Sequence, residues 1–228
     1  MELSAPDVAN VLAKKGVKYL VHANTVRTSS GFLAKGQLLG RGTMDQLGLP
    51  QTAQASDELD VRYGIYHDVF LDTDDVHYRS REPNLYGPVS FVIDLDILRS
   101  GLVPYVWITR TNPIYWDGHQ PNERYFADIE QVDRELQKGD YGSHVMIRCL
   151  GGFLPLEGYL RWVALDDPHR PDYPDLFTSA LEALHAALEQ SRCIDPARVR
   201  QRRCREGCTC VQRYEELSEY DIEHRFFP

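Results

Sequence analysis

The chain has 228 residues, 43% hydrophobic and 26% charged, which is the composition of a folded protein and excludes the polar, highly charged profile of disorder. A formal net charge of -9 argues against coating nucleic acid by bulk electrostatics, which needs Lys and Arg to neutralise phosphates, but leaves room for a local basic groove. No apolar run reaches the roughly 18 to 20 residues of a membrane span, and residues 1–7 lack a basic stretch followed by an apolar one, so a cytoplasmic protein with no membrane partner is expected.

In chain order, Ser4-Ala5-Pro6-Asp7 predicts the start of a short helix with Ser4 as cap, an apolar stripe of Val8, Val11 and Leu12, and Gly16 as its end. Residues 18–23 read as a strand. Residues 28–34 read as a short helix with Phe32 and Leu33 on one face and Lys35-Gly36 as its stop, followed by a buried Leu38-Leu39 anchor. Residues 40–63 show no period and carry Gly40, Gly42, Gly48 and Pro50, which predicts a long loop. Residues 68–71, 89–95 and 103–108 are β-branched and aromatic segments between Asp, Asn, Gly and Pro, which suit the strands of a central sheet.

Ile129, Val132 and Leu136 predict a helix within residues 127–137, and Gly139-Asp140-Tyr141-Gly142 then turns the chain into a strand over 144–149. A further strand over 160–165 ends at Asp166-Asp167-Pro168. Residues 169–175 hold two prolines and read as a linker. They lead to a helix over 176–190 whose apolar face is Phe177, Leu181, Leu184 and Leu188. Beyond it only isolated apolar residues occur, in a tail that is first basic and then acidic, so an irregular tail dispensable for the folding of residues 1–190 is expected. The expected fold class is mixed α/β (α+β): a central, largely antiparallel split sheet with flanking short helices. Its expected division is a domain over 1–168, a linker over 169–175, and a C-terminal helix with a Cys-rich tail over 176–228.

Four groups of residues could carry chemistry. In the first, His22 emerges at the end of an apolar strand and is followed by Asn24 and Thr25 before a helix. An imidazole with an amide and a hydroxyl can hold a ribose or an amide edge; a core histidine beside a helix cap explains the same residues. The second is Asp72-Thr73-Asp74-Asp75-Val76-His77, directly after a strand. Asp72, Asp74, Asp75 and His77 could coordinate a hard divalent metal or supply a general base, as in a metal-dependent nuclease or hydrolase, with solubility as the plainer reason for such a loop.

The third group is residues 109–117, where Asn112, Tyr115 and Trp116 at a strand exit suit stacking on a base or partial burial in the core. The fourth is cysteine. Of five cysteines, Cys149 stands alone, while Cys193, Cys204, Cys208 and Cys210 crowd into eighteen residues, which is not the spread of a disulfide framework and suits a reducing compartment. Those four thiols could close a tetrahedral zinc site, or remain free. Dinucleotide, triphosphate and zinc-protease signatures are absent from the sequence.

The run from His22 through Phe32-Leu33-Ala34-Lys35-Gly36-Gln37-Leu38-Leu39, with Val69-Phe70-Leu71 and Val89-Ser90-Phe91-Val92-Ile93, resembles the start of the ADP-ribosyltransferase fold, in particular DarT-type DNA-modifying toxins and RNA 2'-phosphotransferases. The resemblance extends over about residues 18–165. It implies an NAD-binding protein that transfers to a nucleic-acid base or a protein side chain, with His22, Asn24, Thr25, Arg41 and Tyr86 on the cofactor. The family's catalytic glutamate would stand at the start of a late strand, where this sequence has His144. Glu157, on the loop after that strand, is the alternative acid, and a non-catalytic nucleotide-binding module is the alternative to an enzyme.

Overall fold

The computed structural model describes residues 2–148, 151–191 and 194–228. Among them the strands are, in chain order, β1 (Leu3–Ser4), β2 (Tyr19–Asn24), β3 (Gln37–Leu39), β4 (Val69–Leu71), β5 (Val89–Asp94), β6 (Tyr105–Ile108), β7 (Val145–Ile147), β8 (Phe153–Pro155), β9 (Leu160–Leu165) and β10 (Val199–Gln201). They form one sheet in the order β10-β9-β5-β2, a second in the order β1-β6-β7-β4, and a β3-β8 ribbon. Every pairing is antiparallel except the parallel β9–β10 pair. The protein is therefore an α+β chain on a split, largely antiparallel sheet.

Residues 89–93 are buried on both faces of β5, as their nearly unbroken apolar run requires, and β5 is paired on both sides, with His22 of β2 opposite Phe91. The two large sheets meet where Asp72, just past β4, bridges to Val21 of β2, with N–H···O distances of 2.9 and 2.7 Å. At that seam β2 and the end of β4 lie side by side, which places side chains from both sheets around one opening. Gly87 seals one edge: its φ is +144°, and a Cβ there would lie 2.3 Å from the Asn24 carbonyl, so the chain approaches β2 more closely than any side chain permits.

The helices are α1 (Ala5–Lys14), α2 (Val26–Lys35), α3 (Arg41–Gln46), α4 (Asp57–Arg62), α5 (Val76–Ser80), α6 (Pro121–Arg124), α7 (Ile129–Glu135), α8 (Leu176–Ser191), α9 (Cys210–Glu215) and α10 (Glu219–Phe226). The predicted helix at 28–34 is the middle of α2, which Thr25 caps and Gly36 ends at φ +65°. On α8, Leu184 and Leu188 are buried as predicted, whereas Phe177 and Leu181 are only partly so. Ser4 makes no side-chain cap to α1; it pairs with Tyr105 in β1–β6 instead.

Two expectations are overturned. Residues 40–63 are not one loop, since α3 and α4 form inside them, each only six residues long and so too short to show a period. The tail is not irregular: β10 extends the first sheet, and Tyr214 of α9 and Ile222 and Phe226 of α10 are fully buried in the same apolar cluster as Leu3 and Phe91. Ile222 and Phe226 are spaced i, i+4 on a two-turn helix, a pattern that looks like isolated apolar residues until a partner surface exists. Arg170, in the predicted linker, donates to the carbonyls of Tyr214 and Leu217 at 2.9 Å each, which ties that segment to the tail. No helix among the described residues is long and apolar enough to cross a membrane.

Candidate functional site

The opening at the seam is a cleft of about 100 Å³, smaller than the roughly 300–1,000 Å³ typical of small-molecule sites. Side chains from β2, β4, the loop after β6 and the start of β7 converge there, among them His22, Asn24, Asp72, Asn112 and His144.

His22 lies at the inner end of the cleft against the rings of Phe32 and Phe91, at centroid distances of 5.5 and 6.5 Å. Its Nδ1 is 2.8 Å from the Phe70 carbonyl oxygen, which can only accept, so Nδ1 carries the proton and Nε2 presents a lone pair. The Asn24 amide nitrogen is 3.4 Å from that Nε2, while the Asn24 side-chain oxygen accepts from the Thr25 N–H at 2.9 Å. Burial lowers the His22 pKa, outweighing the opposing pull of the Phe70 carbonyl and of Asp72, so the ring is a neutral hydrogen-bonding group. Thr25 does not reach the cleft. Its hydroxyl accepts from the Thr28 N–H at the start of α2 and lies 2.7 Å from the Thr52 hydroxyl, which makes it a helix cap and not a cofactor contact.

His144, found where the family resemblance would have an acid, pairs through Nδ1 with Asp72 at 3.0 Å. A carboxylate is therefore present at this place, supplied from the neighbouring strand end and oriented by the histidine. Glu157 is exposed and does not line the cleft. Two further acids line the cleft that sequence reasoning passed over. Burial raises Asp60 to about 6 against the hydrogen bond from Ser56, and raises Asp68 to about 6 against its ion pair with Arg148 at 3.1 Å. Asp68 directly precedes the apolar β4, which is a readable signal; Asp60 sits in a segment without period and left none.

Arg41 and Tyr86 both line the cleft. Arg41 is held by Asp57 and by the Thr52 carbonyl at 3.0 Å, and the Tyr86 hydroxyl accepts from the Asn112 amide at 3.1 Å. Of residues 109–117, only Asn112 and Pro113 reach it. Trp116 is fully buried with its indole N–H on the Thr111 carbonyl, and so is core and no base platform.

The acidic segment after β4 does not form one metal centre. Asp72 turns into the cleft, Asp75 caps α5 and pairs with Arg202, and His77 points away into a buried site on the far side of α5. Asp74 lines a separate basic groove with Lys138 and Arg200. The change of backbone is the reason: Asp72 still pairs with β2, Asp75 is the cap of α5, and His77 lies inside that helix, so residues close in sequence face different partners.

His77 instead meets the tail cysteines. Its Nε2 lies 3.4 Å from Cys208 Sγ and 3.7 Å from Cys204 Sγ, and Cys204 Sγ is 3.4 Å from Cys210 Sγ. These four ligand atoms all lie within 4.8 Å of one another, an arrangement that could hold a metal ion. The expected fourth cysteine, Cys193, lies outside the described residues; among the described residues the fourth ligand atom belongs to a histidine 127 positions upstream of Cys204. Behind the histidine, Nδ1 is 2.7 Å from Asp166, whose carboxylate also accepts from the Tyr214 hydroxyl at 2.6 Å and from Arg202. Burial disfavours the Asp166 anion, but Arg202, His77 and Tyr214 together hold its pKa below the ordinary value. Asp166, Arg202 and Tyr214 were not legible as functional: Asp166 reads as the punctuation ending a strand.

The chain matches no protein-family model and no curated protein.

Proposed function

We propose that the cleft binds NAD as substrate and that the protein is an ADP-ribosyltransferase-like enzyme acting on a nucleic-acid base or protein side chain. The observation that carries this reading is the Asp72–His144 pair at 3.0 Å in the same cleft as a neutral His22. Loss of nicotinamide leaves positive charge on the ribose, and a carboxylate held in place beforehand stabilises that charge without reorganising. His144 positions Asp72. His22, through Nε2, and the Asn24 amide are the groups that would grip ribose hydroxyls, and Arg41 supplies a fixed cation for phosphate. The split-sheet topology, with the histidine on the strand before α2, is the arrangement that the resemblance implies. The metal-dependent nuclease reading loses support because Asp72, Asp75 and His77 face three different surroundings.

Calorimetry of the full chain with NAD and measurement of nicotinamide release test the proposal together. NAD should bind without added divalent metal. His22→Ala should abolish binding. Asp72→Asn should retain binding while slowing nicotinamide release by about 10²- to 10³-fold, the usual cost of removing one preorganised electrostatic group. A wild-type protein that does not bind NAD sinks the reading; binding with no release by any acceptor class makes the protein a nucleotide-binding module instead.

A further inference from the structure

We propose that His77, Cys204, Cys208 and Cys210 bind one structural zinc ion, and that this ion clasps the C-terminal tail to helix α5. The proposal stands apart from the NAD reading, since none of the four residues lines the cleft.

Bond lengths make the first argument. A tetrahedron with zinc–sulfur bonds of about 2.3 Å and a zinc–nitrogen bond of about 2.0 Å has edges of about 3.8 Å between sulfurs and about 3.5 Å between sulfur and nitrogen. The observed edges are 3.4 Å for Cys204–Cys210 and 3.4 and 3.7 Å for His77 to Cys208 and Cys204. A disulfide is a different object, with sulfurs about 2.05 Å apart, and all three cysteines are free.

The tautomer of His77 makes the second argument. The Asp166 carboxylate, 2.7 Å from Nδ1, draws the ring proton to that side and leaves the Nε2 lone pair toward the Cys204 and Cys208 sulfurs. Asp166 is itself fixed by Tyr214 and by Arg202, and Arg202 reaches on to Asp75 and to the Ser90 hydroxyl. Such a carboxylate–histidine pair is the usual outer support of a zinc ligand.

Donor type and number select the metal and its role. Three thiolates and an imidazole suit zinc and disfavour magnesium and calcium, and four protein ligands leave no open position for water or substrate, so the site is structural. What it joins is evident from the chain. The turn that carries Cys204 and Cys208 runs past α5, with the Thr209 N–H donating to the Arg81 carbonyl at 2.8 Å, while Cys210 opens α9. Zinc at this point fixes β10 and α9 to the segment that also carries Asp72 into the cleft.

Elemental analysis of the full chain should find about one zinc per molecule. Replacing it with cobalt should give thiolate-to-cobalt charge-transfer absorption and the visible bands of tetrahedral cobalt. Cys204, Cys208 and Cys210 should resist alkylation until a strong chelator is added. His77→Ala should weaken zinc binding by more than about 100-fold, beyond the loss expected for an outer-shell change, whereas His77→Cys should keep a tetrahedral site. Should His77→Ala fail to fold, the alkylation and cobalt experiments on the unaltered protein decide alone. The proposal is overturned by protein that carries no stoichiometric zinc and gives no tetrahedral cobalt spectrum, by a Cys204–Cys210 disulfide, or by His77→Ala binding zinc as tightly as the parent.

Discussion

Two histidine–aspartate pairs grow from one short stretch of chain: Asp72 reaches His144 in the cleft, and His77, five positions later, reaches Asp166 behind the cysteines. In the cleft pair the carboxylate side chain is 20% exposed, while in the other it is 2% exposed and receives two more donors. The same two residue types thus do different work according to how fully their remaining hydrogen-bonding capacity is filled. Asp72 keeps spare lone pairs toward an open cleft and is suited to act on something that arrives there. Asp166, buried and with three donors already on its carboxylate, is suited to hold its neighbours still. Changes on the His77 side should therefore cost stability, and changes on the His144 side should cost function with the fold intact.

The largest effect should come from deleting residues 194–228, which removes β10, α9 and α10 with the buried Tyr214, Ile222 and Phe226. Loss of a buried large aromatic alone costs about 3–5 kcal/mol, against a total stability of about 5–15 kcal/mol for a domain. The truncated chain should show no cooperative urea transition. Retention of a normal transition would mean the tail is an accessory and the His77 side is not a folding element.

Next is Asp166→Ala, which leaves Arg202 buried beside a missing partner and frees the His77 ring. Unfolding free energy should fall by about 3–5 kcal/mol, the usual result of breaking a buried ion pair. The equivalent cleft change, Asp72→Asn, should shift the urea midpoint little, and a comparable loss in both variants would erase the distinction between the pairs.

A smaller effect separates the cleft acids by pH. The folded pKa of Asp60 is raised from 3.8 to about 6, so its favourable contribution to stability is complete below about pH 3.8 and is lost as pH rises through 6. His22 runs the other way: its folded pKa is lowered, so its contribution is present above its ordinary 6.5 and is lost as pH falls. Asp60→Asn should accordingly gain stability over the parent at pH 8, by up to about 2–3 kcal/mol, and gain almost none at pH 4. Equal gains at both pH values would show that Asp60 is not held in a desolvated site. The smallest effect belongs to Glu157→Gln, which should leave both NAD binding and the urea midpoint unchanged within error, since its side chain is exposed and off the cleft. A loss of nicotinamide release in that variant would return the role of the acid from Asp72 to Glu157.

What the sequence by itself determined is whatever a run of neighbouring residues can encode: the α+β class, strands β2, β4, β5 and β9, the Thr25-to-Gly36 limits of α2, the Leu184 and Leu188 part of the apolar face of α8, and the placing of His22 on a strand near Asn24, although that strand runs on through Asn24. Periodicity and turn chemistry act within about a dozen residues, so these features survive without knowledge of the rest of the chain. Tertiary structure alone decided that the acid beside His144 is Asp72 and not Glu157, that Trp116 is core, and that the partner of three tail cysteines is a histidine more than a hundred residues upstream. It also decided that Tyr214, Ile222 and Phe226 are core residues. The physical reason is that helices α3, α4, α5, α9 and α10 are each no longer than eight residues. A helix that short is unstable by itself, carries no legible period, and takes its orientation from the surface it is buried against.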